Sequence, residues 1–108
     1  MQPKLGINVH PLATTSIADA LLPKVRQRVL AVLFGAPDRS YYANELIALA
    51  QSGTGAVQRE LAALAAAGLI TERRQGNQKH FQANPQSPVF AELRGLVLKT
   101  MGLALMWI

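Results

Sequence analysis

Gln58 and Arg59 are adjacent residues whose side chains can each make two hydrogen bonds in one plane. They lie near the start of residues 52–68, where apolar positions follow helical spacing. Amide and guanidinium groups near the N-terminus of a helix read base edges in the DNA major groove, which is about 12 Å wide and accepts one helix. Glutamine and arginine are also common on ordinary surface helices. The pair alone leaves both interpretations open.

The segment that carries this pair is predicted to be a helix with one narrow apolar stripe. Val57, Leu61, Leu64 and Gly68 fall at i, i+4, i+7 and i+11, so they can pack together against a core. The opposite face is polar at its start and continues with alanines at positions 62, 63 and 66. Because alanine is small, another surface can approach this helix closely.

A second cluster of cationic and amide side chains is predicted at the tip of a β-hairpin. Two β-prone runs, residues 69–75 and 78–83, flank Gly76-Asn77, a typical two-residue turn. The cationic and amide residues near the tip are Arg73, Arg74, Gln75, Asn77, Gln78, Lys79 and His80. Such a cluster is typical of a surface that binds phosphate groups, and also of a hairpin whose edge is protected from aggregation by charge.

The two-residue turn also predicts the register of the hairpin. The predicted pairs are Glu72 with Phe81, Arg73 with His80 and Arg74 with Lys79. The last pair places like charges opposite each other, which destabilises a free hairpin. We expect phosphate groups between these cations to remove that cost.

Composition indicates one globular domain that is attracted to polyanions. The chain has 108 residues, of which 50% are hydrophobic and 16% charged, and this suits a single core. Eleven Lys and Arg against six Asp and Glu give a formal charge of +5 and a pI near 10.3, which favours a polyanionic partner or surface. The charge alone does not specify which partner. We find no segment typical of a signal peptide or membrane span, and expect a cytoplasmic protein with no membrane partner.

The sequence has no group of residues that predicts catalysis or a bound metal. Cysteine is absent and the two histidines are His10 and His80, so thiolate sites and clustered imidazole ligands are excluded. The glycines at 53 and 55 follow a predicted helix, whereas a nucleotide-binding loop follows a strand. We therefore expect a protein that is not an enzyme and uses no cofactor.

The elements that must position the two clusters are mainly helical. Residues 1–16 contain three helix breakers and are predicted to form an irregular arm. The elements predicted next are a short helix over 17–22 capped by Ser16, a helix over 24–34, a short strand over 40–42 and a helix that begins at 43 or 44. Residues 51–53 then form a turn, so that the segment 52–68 completes a helix-turn-helix.

The helix over 24–34 carries Lys24, Arg26 and Arg28 in its N-terminal half. These cations could lie along a DNA backbone or form an ordinary solvated face, and the sequence leaves both interpretations open. The apolar face of this helix is predicted at Val25, Val29, Val32 and Leu33.

The final helix is predicted from about residue 89 to near the C-terminus and is apolar on two sides. One stripe contains Phe90, Leu93, Val97, Met101, Ala104 and Ile108, and the other Leu96, Leu103 and Trp107. We expect one side to pack on the chain's own domain and the other on a second copy, unless a continuation of the chain covers it. The predicted dimer interface comprises Phe90, Leu93, Leu96, Val97, Met101, Leu103, Ala104 and Trp107.

The order of these elements and the residues of 45–84 resemble the winged helix-turn-helix regulators of the ArsR and MarR-like bacterial type. The matching positions are Glu45, Leu46, Ser52, Val57, Arg59, Leu61, Leu64, Ala67, Gly68, Leu69, Ile70, Arg74, Gly76 and Phe81. The resemblance spans residues 25–84 and implies a mainly α fold with a small β-hairpin, in the α+β class. Residues 26–47 look closest to a subgroup that sometimes precedes a nucleotidyltransferase domain.

The resemblance implies a sequence-specific transcriptional regulator, acting as a repressor, that binds double-stranded DNA as a homodimer. The implied DNA contacts are Ser52, Thr54, Gly55, Ala56, Gln58 and Arg59 on the helix and Arg73, Arg74, Asn77, Gln78 and Lys79 on the wing. Glu60 departs from the neutral or basic residue often found at its position, and its carboxylate could either repel phosphate or accept a hydrogen bond from a cytosine. Since cysteine is absent, the metal sensing of some ArsR members is not expected here.

The implied domain organisation is an arm over 1–16, a winged helix-turn-helix domain over 17–84 and a dimerisation helix over 85–108. The alternative function is that of a winged helix that binds a separately encoded protein, such as a nucleotidyltransferase, because this fold also serves as a protein adaptor.

Overall fold

Five helices and three strands form between Ser16 and Met101, the limits of the residues that the computed structural model describes. In chain order they are α1 (Ile17–Leu21), α2 (Lys24–Gly35), β1 (Tyr41–Tyr42), α3 (Ala43–Ala50), α4 (Thr54–Ala66), β2 (Ile70–Gln75), β3 (Gln78–Ala83) and α5 (Phe90–Thr100). The predicted mainly helical α+β fold is confirmed. None of the helices in this range has the length and apolarity that crossing a bilayer requires. The predicted arm, apart from Ser16, and the positions Leu103, Ala104, Trp107 and Ile108 lie outside the described residues.

β2 and β3 form the predicted hairpin, and β1 adds a third antiparallel strand in the order β1-β3-β2. The predicted register is confirmed at its three pairs, Glu72 with Phe81, Arg73 with His80 and Arg74 with Lys79. Gly76 begins the turn with a φ of +63°, in the left-handed region that favours glycine. The partner of β1 was not predicted: Tyr41 lies opposite Phe81, and Tyr42 opposite His80.

α2 lies at the centre of the core because α3, α4 and α5 all pack against it. Leu30, Leu33 and Phe34 are at most 2% exposed. The single apolar stripe predicted for this helix was too narrow: Val25 and Val32 are only partly buried, while Leu30 and Phe34 are in the core. A helix covered on several sides buries a wider arc than one stripe can describe.

A short turn held by α2 joins α3 to α4. The Tyr42 N–H donates a hydrogen bond to the Glu45 carboxylate (2.9 Å) at the start of α3, and α3 is followed by Gln51 with a left-handed φ of 51°. Arg28 of α2 donates to the Gln51 carbonyl oxygen and to the Ser52 hydroxyl, both at 3.3 Å. These contacts fix the point from which α4 begins.

α5 packs along α2 with its first apolar stripe. Val97 is fully buried, and Phe90, Leu93 and Met101 pack against the same core. Val97 was predicted to lie in an interface between two copies. It lies instead inside the chain's own core, because α5 turns this stripe towards α2. Leu96 is half-buried. The last residue of α5 is Thr100, earlier than the predicted end near the C-terminus, and residues 102–108 lie outside the described range.

Asp19 connects α1 to the start of α2. Its N–H donates to the Ser16 hydroxyl (3.0 Å), which confirms Ser16 as the cap. Its carboxylate accepts hydrogen bonds from Lys24 Nζ (2.7 Å) and Gln27 Nε2 (3.0 Å). The Lys24 contact, followed by the Gln27 contact, lowers the pKa of Asp19 from 3.8 to about 2.

We expect Asp19→Asn to destabilise the fold at pH 7 and to have progressively less effect as the pH falls to 2. The pKa of Asp19 is lower in the folded chain, so its contribution is complete above the ordinary pKa and is lost as the pH falls through about 2. The free energy of unfolding in urea, measured for both proteins at pH 7, 4 and 2, should show the difference closing with acid. A difference that does not change with pH would contradict an ionic role for Asp19.

Candidate nucleic-acid interface

The exposed face of α4 begins with a first turn that no side chain caps. Gly53 occupies the N-cap and offers no side-chain acceptor to the first N–H groups of the helix. Thr54, Gly55 and Gln58 are exposed, while Val57 is fully buried. Uncapped N–H groups and the positive end of the helix dipole favour an anion. The first turn of α4 is therefore suited to a phosphate oxygen.

The Arg59 guanidinium lies back over this first turn. Its Nη1 atom is 3.3 Å from the point that a Cβ atom on Gly55 would occupy. Helical side chains lean towards the N-terminus of their own helix, and the missing Cβ leaves room for the guanidinium there. The predicted base-reading group thus lies near the start of α4, the part of a recognition helix that contacts base edges.

We expect Gly55→Ala to stabilise the fold and to weaken binding to a specific DNA site. Alanine is favoured over glycine in a helix by about 0.5–1 kcal/mol. The new Cβ meets the end of a flexible side chain, so Arg59 moves aside and loses its position. Urea unfolding and fluorescence anisotropy on the same samples measure the two effects.

Gly35→Ala is the matched control for this substitution. An added Cβ at Gly35 contacts nothing within 4 Å, and this residue ends α2, away from α4. The control should gain stability without a change in DNA affinity. A Gly55→Ala variant that binds DNA as tightly as the wild type would contradict the role of Gly55 in placing Arg59.

Gln58 faces the hairpin across a groove of about 350 Å³. The residues that line this groove are Tyr42, Ala43, Asn44, Gln58, Arg74, Asn77, Gln78 and Lys79. Five of the predicted DNA-contacting residues, one from α4 and four from the hairpin, are therefore brought together. The predicted residues that do not line the groove are Ser52, Thr54, Gly55, Ala56, Arg59 and Arg73.

Lys79 has a counter-charge within the hairpin. Its Nζ atom is 3.4 Å from Glu72 Oε2, and the register places both residues on the same side of the sheet as Arg74. The carboxylate offsets part of the repulsion between Arg74 and Lys79, which phosphate groups were predicted to relieve. Two cations against one carboxylate still leave this side of the tip positive.

Arg73 and His80 lie on the other side of the sheet, because they alternate with Arg74 and Lys79 along the strands. His80 is half-buried, and its ring centroid is 4.1 Å from that of Tyr42. Its Nε2 atom is buried and makes no hydrogen bond within the described residues. The sequence predicted His80 among the exposed groups of the tip; the third strand covers it instead. Arg73 is exposed but turned away from the groove.

The three cations of α2 each have a partner within the chain. Lys24 Nζ lies 2.7 Å from the Asp19 carboxylate, and Arg26 Nε lies 2.6 Å from the Glu60 carboxylate. Arg28 contacts the turn before α4. These contacts account for the three cations without a phosphate backbone. They also account for Glu60, whose carboxylate is directed at α2.

Tyr42 and Asn44 contribute to the groove but were not among the residues predicted from the sequence. They line it from the junction of β1 and α3, and Tyr42 is 41% exposed. No charge or periodicity in the sequence points to them. They become neighbours of the hairpin because β1 pairs with β3.

The comparisons with known proteins come from solved structures, since neither a protein-family model nor a curated protein matches this chain. The AntR antimony-specific transcriptional repressor is similar with a TM-score of 0.58 and 21% identity, over 94% of this chain and 95% of that chain. The fold is a winged helix-turn-helix. A possible transcriptional regulator from Methanosarcina mazei Go1 is similar with a TM-score of 0.54 and 13% identity, over 80% of this chain and 75% of that chain.

In this winged helix, α3 and α4 form the helix-turn-helix and the hairpin of β2 and β3 is the wing. The groove lies where the wing meets α4. Within residues 16–101, no three side chains of His, Asp or Glu are grouped closely enough to hold a metal ion.

Proposed function

We propose that this winged helix is a transcriptional regulator that binds double-stranded DNA as a homodimer. The observation that carries the proposal is the groove in which Gln58 of α4 faces the amide and cationic residues of the wing tip. Because the helix and the wing border the same opening, one duplex can contact both. The similarity to the two transcriptional regulators supports this function.

In the proposed complex, α4 enters the major groove. An amide such as that of Gln58 pairs with two atoms of adenine, and a guanidinium such as that of Arg59 pairs with two atoms of guanine. The exposed alanines at 62, 63 and 66 allow the helix to approach the bases. The uncapped first turn of α4 receives a phosphate oxygen.

The wing contacts the DNA backbone in this proposal. Arg74 and Lys79 supply charge, while Asn77 and Gln78 supply neutral donors. Each phosphate that a cation neutralises releases condensed counterions, so affinity falls as salt concentration rises. Contacts of this kind position the protein on the duplex, and contacts with base edges provide specificity.

The proposed homodimer forms through α5 and the residues that follow it. Leu96 is half-buried beside the fully buried Val97, and the sequence continues its stripe with Leu103 and Trp107. Two copies paired in this way present their α4 helices about 34 Å apart, one turn of DNA. We therefore expect an operator that is an inverted repeat.

Fluorescence anisotropy tests the proposal. The protein is titrated onto the duplex upstream of its own gene and onto a scrambled duplex, at two salt concentrations. A preference of at least about a thousandfold, with a steep salt dependence, is expected for a specific regulator. Weak and equal binding would overturn the proposal and favour the alternative, a winged helix that binds a separately encoded protein such as a nucleotidyltransferase.

A further inference from the structure

Glu60 lies on α4, the helix proposed to read DNA, and its carboxylate forms an ion pair with Arg26 of α2. Glu60 Oε1 accepts a hydrogen bond from Arg26 Nε (2.6 Å), and Glu60 Oε2 accepts a longer one from Arg26 Nη2 (3.5 Å). The side chains of Glu60 and Arg26 are 17% and 36% exposed. Water and salt therefore screen this pair less than they screen a fully exposed pair.

The position of Glu60 on α4 makes this contact relevant to DNA binding. Gln58 and Glu60 are two residues apart, which is about 200° around an α-helix. Gln58 consequently lies on the flank that faces the wing, and Glu60 on the flank that faces α2. The ion pair ties one flank of α4 to the central helix of the core while the other flank borders the groove.

We propose that Arg26 is a positioning residue for DNA binding and that it acts through Glu60. It draws the carboxylate against α2 and neutralises a charge that otherwise repels the phosphate groups beside α4. The inference rests on the proposed function. It predicts that the effect of removing Arg26 depends on the presence of Glu60.

The test is a cycle of Arg26→Met, Glu60→Gln and the double variant, with anisotropy on the upstream and scrambled duplexes. We expect Arg26→Met to bind both duplexes about tenfold more weakly, because it exposes an unpaired carboxylate to the phosphates. Glu60→Gln is expected to bind at least as tightly as the wild type. In the double variant the repelling charge is absent, and we expect affinity within about threefold of the wild type on the same electrostatic argument.

Lys24→Met is the matched control, since it removes the same charge from the same helix. The partner of Lys24 is Asp19, which is not on α4, so this variant should lose less than about twofold in affinity because it exposes no carboxylate beside the phosphates. Urea unfolding shows whether each variant is folded. If Arg26→Met does not fold, Arg26→Lys takes its place, because it keeps the charge but loses the two-point contact. Its affinity for DNA is expected to be lower than that of the wild type, by less than the loss expected for Arg26→Met.

The outcomes separate the inference from the proposed function. A double variant as weak as Arg26→Met means that Arg26 contacts the DNA directly, which overturns the inference and leaves the proposed function standing. Equal losses for Lys24→Met and Arg26→Met also overturn it, because net charge alone then explains the effect. A wild-type protein that binds neither duplex overturns the proposed function, and this inference with it.

Discussion

Arg59→Ala is expected to lower affinity for the specific DNA site by about 1–3 kcal/mol and to change affinity for a scrambled duplex much less. The side chain is exposed, and its guanidinium lies over the first turn of α4. A bidentate contact with guanine forms only where the sequence provides that base, so its loss relaxes specificity. Anisotropy titrations of wild type and variant on both duplexes, at one salt concentration, measure this difference.

Lys79→Ala is the control for Arg59→Ala because it also removes one cation. Lys79 lines the groove from the wing and contacts Glu72 at 3.4 Å. Its loss is expected to weaken binding to all duplexes alike and to lower the slope of log affinity against log salt by about one. Equal losses on both duplexes for Arg59→Ala would assign Arg59 to the backbone and contradict base reading.

Phe34→Ala is expected to have the largest effect on stability, a loss of about 3–5 kcal/mol in the free energy of unfolding. Phe34 is fully buried on the central helix, and its ring centroid is 5.9 Å from that of Phe90 on α5. Its carbonyl oxygen also accepts a hydrogen bond from Arg94 Nη1 (2.8 Å). Truncation leaves a cavity between α2 and α5 in a domain whose total stability is about 5–15 kcal/mol.

Urea unfolding of wild type and variant measures this loss, and Leu49→Ala is the control. Leu49 is a large apolar residue that is 54% exposed on α3, so its truncation is expected to change stability by less than about 0.5 kcal/mol. A loss below about 1 kcal/mol for Phe34→Ala would contradict the central place of α2 in the core. DNA binding by Phe34→Ala is expected to fall only in proportion to the fraction of the protein that is unfolded. Arg59→Ala, in contrast, is expected to stay folded and to lose specificity.

The sequence by itself determined the features that depend on neighbours along the chain. The register of the wing follows from a two-residue turn at Gly76, and each predicted pair was confirmed. The buried stripe of α4 follows from helical periodicity at Val57, Leu61 and Leu64, and these three are buried. Gly68, the fourth predicted position, lies beyond the end of α4 at Ala66. Turn chemistry and a 3.6-residue period act over a few residues, so the sequence encodes them directly.

Only the tertiary structure decided which charges remain available to a partner. The formal charge of +5 includes Arg26 and Lys79, yet Arg26 is paired with Glu60 across 34 residues and Lys79 lies beside Glu72. An ion pair between two elements depends on which faces pack together. The periodicity of the sequence does not predict which faces pack together, because charged residues at a surface have similar local sequences whether they are paired or free.

The tertiary structure also decided which apolar stripe of α5 belongs to the core. The stripe through Phe90 and Val97 and the stripe through Leu96 are both apolar in sequence, but α5 turns Val97 towards α2 and leaves Leu96 half-buried. The groove depends in the same way on the pairing of β1 with β3, which brings Tyr42 beside the wing. Hydrophobicity determines that a face must be covered, whereas the packing of the whole chain determines what covers it.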